Sequence, residues 1–175
     1  SVPARNQFAW VLGDGVGKWN TTELGNHVFL NPSSSENGQA FGGIRVKKDE
    51  NNGETRIPWA GVVDASTFSV VTLVSEGQKL TVYVDGEERS SVEHDQSLKH
   101  IVPNGDIAGY LGRSLYEPDG LFQGKMSSAV IWDDALSPQQ VSDRKQNAAE
   151  NHAKYVEISY DELFKRVLAE NGSPD

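Results

Sequence analysis

Acid–base hydrolysis of a polymer needs two carboxyl groups on one side of a cleft, about 5 Å apart in a retaining enzyme. The 175-residue sequence holds 25 acidic residues, yet none falls into that pattern. Glu87 and Glu88 are adjacent, so on a strand they face opposite ways. Glu93-His94-Asp95 places two acids on one side but lacks a third further along. Both groups sit in or just after a hairpin turn. No Gly-x-Ser-x-Gly elbow, His-Glu-x-x-His helix or phosphate-cradling glycine loop occurs. His27, His94, His100 and His152 show no metal-ligand spacing and read as ordinary surface or strand histidines.

Another set of residues suits recognition without catalysis. Binding a polyhydroxylated ligand requires aromatic faces for stacking and a few planar groups that fix hydroxyls by hydrogen bonding. Trp19, in the loop GVGKWNTTELGN, stands beside Asn20 and Thr21 with no evident core role. Trp59 follows Pro58 near a strand start, and Tyr116 lies in the loop SLYEPDG. Arg45 follows Gly42 and Gly43, whose missing side chains leave room above a sheet. There a guanidinium could grip a carboxylate or vicinal hydroxyls bidentately. Trp10 and Trp132 fall inside strands and are expected in the core.

Local chemistry defines the elements that must position these side chains. Apolar runs at NQFAWVLG, HVFLN, FGGIRV and FSVVTLVS alternate with glycine-, asparagine- and serine-rich loops. The last run is apolar on both faces, the pattern of a central strand. Asn52-Gly53 marks a hairpin. In KLTVYVDGEER, Leu80, Val82 and Val84 share one face, and Asp85-Gly86 supplies the tight turn to the next strand. Ser75-Glu76-Gly77-Gln78 is the matching turn before it. IAGYLGRS and GKMSSAVIWDD add two strands, the second with Met126, Ser128, Val130 and Trp132 on one face. Ser137 and Gln140 then form a capping box, with Pro138 at the first helical position, opening a polar helix over 138–151. Ser159 and Glu162 open a second helix with an apolar stripe of Leu163, Phe164, Val167 and Leu168, ended by Gly172.

Composition narrows the partners. A formal net charge of −9 leaves no basic stripe for nucleic acid and no attraction to an anionic membrane. No apolar run reaches membrane-spanning length. The sequence contains no cysteine, which suits an exported bacterial module. The sequons at Asn20 and Asn171 arise readily by chance.

Three elements taken in order, Leu80 to Gly86, Leu111 to Arg113 and Ala135 to Ser137, resemble the second half of the laminin-G-like, concanavalin A-like lectin/glucanase modules. The resemblance covers residues 65–142. It implies an all-β, two-sheet antiparallel jelly-roll sandwich, here carrying C-terminal surface helices. Residues 1–146 would be the module and 147–175 a helical extension or the start of a linker. Such modules accompany bacterial glycosidases, sialidases and adhesins outside the cell or on its surface. They bind sugar or dock structurally.

The resemblance implies calcium as a candidate cofactor. Asp14, Asp49, Asn51 and Asp119 are available, but their spacing matches no known calcium loop. Three departures stand out. Thr67-Phe68-Ser69 replaces a common Trp-His, and Ser127 and Ser128 replace an acidic pair. Strands expected before Asn6 are also missing, either because this chain lacks them or because YVEISYDELF contributes a replacement.

The expected function is non-catalytic carbohydrate binding through Trp19, Asn20, Arg45, Trp59 and Tyr116. The partners would be an oligo- or polysaccharide and a neighbouring domain of a parent protein, with no nucleic acid and no membrane. Two alternatives stay open. One is a structural docking module using the apolar stripe of Tyr160 to Leu168. The other is a glycoside hydrolase with an atypical site at Glu88 or Glu93.

Overall fold

A computed structural model describes residues 8–14, 25–32, 41–46, 53–57, 63, 66–95, 98, 101, 107–116 and 119–152. Within them the chain forms eight strands and one helix. The strands are β1 (Trp10–Asp14), β2 (His27–Asn31), β3 (Phe41–Arg45), β4 (Thr55–Arg56), β5 (Val71–Glu76), β6 (Lys79–Val84), β7 (Glu87–Glu93) and β8 (Ile107–Leu111). The helix α1 spans Pro138–His152. One sheet has the order β4-β3-β2-β1-β8 and the other β5-β6-β7, and every pairing is antiparallel. This is the expected two-sheet sandwich.

Turn chemistry builds the smaller sheet. Asp85 and Gly86 both take positive φ, at 55° and 80°, the conformation a tight hairpin demands. The Asp85 carboxylate also accepts a 3.0 Å hydrogen bond from the Val70 amide, which ties the turn to the base of β5. The preceding loop centres on Gly77 and Gln78, since Glu76 pairs directly with Lys79. Only Gly77 needs positive φ there. A bulge between Val82 and Tyr83 leaves Arg89 without an opposite residue on β6.

The period-two pattern then sorts the faces. Val28 on β2, Ile44 on β3, and Leu80, Val82 and Val84 on β6 meet between the sheets with Val46, Ile57 and Ile101. Burial of these aliphatic side chains, each about 1.5–3 kcal/mol, holds the layers together. Gly42 lets Leu73 of β5 come close, because a Cβ there would lie 2.5 Å from a Leu73 methyl.

Three expectations need correction. FSVVTLVS reads as a central strand, but among the described residues β5 is a terminal strand of its sheet. Its outer face is apolar because α1 covers it: Val74 packs with Tyr83, Val141 and Leu136. GKMSSAVIWDD reads as a strand, yet residues 121–135 join no ladder among the described residues. A strand exists only where a neighbouring edge offers hydrogen bonds, and this segment instead lines a wide groove. Trp132, expected in the core, lies half-buried on that groove, with the Arg144 guanidinium 5.4 Å from its ring centre.

The helix begins as read. Ser137 Oγ accepts from the Gln140 amide at 3.3 Å, and Gln140 Oε1 accepts from the Ser137 amide at 2.8 Å. The second helix expected over residues 160–171 falls outside the described residues, as does Asn52. The strands before and after Asn52-Gly53 do pair, but Ile44 opposite Thr55 is six residues off the register that a turn at that dipeptide would set.

Candidate functional site

The outer face of the larger sheet gathers the cationic side chains. His27 of β2 and Arg45 of β3 are direct cross-strand partners. Gly43 opposes Arg56 and Ile44 opposes Thr55, so continuing that register by one residue sets Glu54 opposite Arg45. His27, Arg45 and Glu54 thus form one row across three strands. Arg56 stands in the next row, beyond Gly43 and Phe29.

Glu54 is the hub of this row. Its Oε2 lies 2.6 Å from His27 Nε2, and its Oε1 accepts from Arg56 Nε. His27 Nδ1 reaches the Gly25 carbonyl at 3.0 Å, which orients the ring. Burial of Glu54 works to raise its pKa. The His27 hydrogen bond and charge, followed by Arg56, outweigh that and hold the carboxyl below its ordinary value of 4.5.

With both Glu54 oxygens engaged, Arg45 receives no share of them. Its Nε is sheltered from solvent and has no hydrogen-bond partner among the described residues. A guanidinium nitrogen left unpaired in such a place is costly, so an added acceptor would be favourable. Two arginines and a histidine around one carboxylate make a locally cationic patch on a chain of net charge −9.

The room expected above Gly42 and Gly43 is occupied. A Cβ on Gly43 would sit 2.5 Å from Phe29 Cε1, and the space above Gly42 belongs to Leu73. Phe29 is itself pinned by Phe8, with ring centres 5.0 Å apart. The Arg45 side chain therefore stands beside a packed aromatic floor.

Tyr116 follows β8 in a tight turn. Its amide donates to Ser114 Oγ at 3.0 Å, and its carbonyl accepts from the Asp119 amide at 3.1 Å. The adjacent Leu115 reaches over Gly13, itself the β1 partner of His27. The Tyr116 turn thus borders the same outer face as Arg45. Trp19, Asn20 and Trp59 lie outside the described residues.

Sequence reading missed His27, Glu54 and Arg56. Counting the register outward from Asn52-Gly53 would have set Glu54 opposite Asn51, six residues off the observed register that pairs Ile44 with Thr55. The reach of His27 from the third strand had no local signal. Glu87 and Glu88, the rejected acid pair, sit on β7 near Arg89 at 3.4 Å and Lys79 at 3.7 Å.

No group of three or more His, Cys, Asp or Glu side chains placed to hold a metal ion occurs among the described residues. Asp119 therefore gains no partner acids for calcium there, and Asp49 and Asn51 lie outside. Among the described residues no donor set for calcium assembles.

Comparison with known proteins agrees with this architecture. The family model of the concanavalin A-like lectin/glucanases superfamily matches residues 5–142. The chain belongs to this superfamily. Among solved structures, the lectin/glucanase sandwich described here is similar to the CBM40 of the Ruminococcus gnavus IT-sialidase. The two are 15% identical with a TM-score of 0.57, over 81% of this chain and 74% of that one. The same CBM40 bound to α2,3-sialyllactose gives the same values, 15% identity, TM-score 0.57 and coverage of 81% and 74%. At that identity the likeness is one of fold. No curated protein matches the chain significantly in sequence.

Proposed function

We propose that this chain is a non-catalytic carbohydrate-binding module. It would act outside the cell or at the bacterial surface, as part of a larger glycan-processing protein, and hold that protein near an oligo- or polysaccharide. The observation carrying this reading is Arg45, a sheet-face guanidinium with an unpartnered Nε beside the His27–Glu54–Arg56 cluster. Such a row offers planar, directional donors to hydroxyls or to a sugar carboxylate, which is what a lectin site needs.

The cationic balance of the patch favours a glycan carrying an acidic unit. The fold likeness to a CBM40 bound to sialyllactose supports that choice of class. Trp19 and Trp59 remain candidates for stacking platforms on the same ligand, with Asn20 and Tyr116 contributing polar contacts.

Glycan-array binding and retardation in affinity gels test the proposal. Acidic oligosaccharides should be retained over their neutral counterparts, and Arg45→Ala should abolish the difference. Absence of retention on every glycan, with Arg45→Ala, Trp19→Ala and Trp59→Ala behaving as the parent chain, would sink it.

A further inference from the structure

Glu54 bypasses the residue beside it. Continuing the β3–β4 register one residue past Ile44 and Thr55 sets Glu54 next to Arg45, and His27 stands on the far side of Arg45. Neighbours in such a row have Cβ atoms about 4.5–5.5 Å apart, and a carboxylate so close to a guanidinium ordinarily pairs with it. Here the carboxylate reaches across β3 instead. Its Oε2 lies 2.6 Å from His27 Nε2, and its Oε1 accepts from Arg56 Nε. The groups that hold this carboxyl below the ordinary 4.5 are His27 and Arg56, and Arg45 is not among them.

The hold on Glu54 from β2 is a firm one. The His27 side chain is 6% exposed, against 59% for Arg56. Its Nδ1 lies 3.0 Å from the Gly25 carbonyl, and its ring rests near Phe29, with centres 5.8 Å apart. Both ring nitrogens face acceptors, and a ring carrying both protons donates to each. Arg45 Nε meanwhile has no hydrogen-bond partner among the described residues.

We propose, resting on the carbohydrate-binding reading of this face, that His27 is a positioning residue: it holds Glu54 away from Arg45 and keeps that guanidinium open to an acidic ligand. Released from His27, the carboxylate would pair with Arg45 and take the place of the sugar carboxylate. His27 thus sets affinity through Glu54.

Two measurements on the full-length chain test this, with sodium glucuronate as the probe of carboxylate binding. The Arg45 Nε–H resonance, identified by its loss in Arg45→Lys, reports on the partner of that nitrogen. In His27→Leu it should move downfield and exchange with water several-fold more slowly, as a charge-assisted bond to Glu54 forms. Glucuronate affinity should fall about tenfold, by depletion of the open form of Arg45. Adding Glu54→Gln to His27→Leu should restore both, because the competing charge is gone. His27→Gln, whose amide can still donate to Glu54, should recover most of the affinity that His27→Leu loses.

A His27→Leu chain that binds as the parent does, or a double variant that stays weak, would overturn the proposal. If no chain binds glucuronate, the acidic-sugar reading fails, and the Nε–H resonance alone decides the placement of Glu54. Movement in His27→Leu supports the proposal then, and an unmoved resonance overturns it. Should His27→Leu not fold, His27→Asn, polar but too short to reach Glu54, carries the same readings.

Discussion

Arg45 and His27 face each other across β2 and β3, yet only His27 is joined to Glu54, at 2.6 Å. Three side chains, His27, Arg45 and Arg56, stand near one carboxylate, and the histidine and Arg56 hold it. The loser is left with a sheltered nitrogen and an unmet hydrogen bond. That asymmetry turns an ordinary sheet row into a candidate for gripping a ligand.

Arg45→Ala is therefore expected to separate binding from stability. A charge-assisted hydrogen bond to ligand is worth about 1.5–3 kcal/mol, so affinity for an acidic oligosaccharide should fall roughly 10- to 150-fold by calorimetry. The melting temperature should hold or rise slightly, because the removed nitrogen had no hydrogen-bond partner among the described residues. A drop in stability with unchanged affinity would refute the assignment.

Glu54 makes stability depend on pH with a defined sign. Its carboxyl is held below the ordinary 4.5 in the folded chain, so the ionised form favours the native state. That contribution is complete above the unfolded value and is lost as pH falls through the folded one. Denaturant titrations of the parent chain should show stability declining as pH falls below the ordinary 4.5. Glu54→Gln should flatten this part of the curve and cost about 1–3 kcal/mol at neutral pH by leaving His27 and Arg56 unpaired.

Gly43→Ala tests the packed aromatic floor. The new methyl would meet Phe29 Cε1 at 2.5 Å and Cζ at 2.6 Å, and Phe29 is fixed against Phe8. Overpacking of this kind costs about 1–3 kcal/mol. The melting temperature should fall, whereas Gly53→Ala, with open space around it, should leave it nearly unchanged.

The β6–β7 turn should be intolerant in a similar way. Gly86 has φ of 80°, and a Cβ there would approach Ser142 Cα of the helix at 3.0 Å. Gly86→Ala therefore strains the backbone and pushes on α1, with an expected loss of about 1 kcal/mol or more. Equilibrium unfolding by urea reads this directly, and an unchanged midpoint would contradict the turn geometry.

Much of this architecture is legible in the chain because it rests on interactions between near neighbours. The apolar alternation of Leu80, Val82 and Val84, the Asp85-Gly86 turn and the Ser137–Gln140 cap each involve residues a few positions apart, and each formed as read. Arg45 was legible as a candidate by its type and its glycine-rich strand. Tertiary structure alone decided what required distant segments to meet. The pairing of β1 with β8, the capture of Glu54 by His27 from two strands away, the filling of the glycine space by Phe29, and the absence of a ladder for residues 121–135 among the described residues are of this kind. Period-two patterning says which way a side chain points but not which strand lies beside it. The neighbour is chosen by how the whole set of apolar faces closes together.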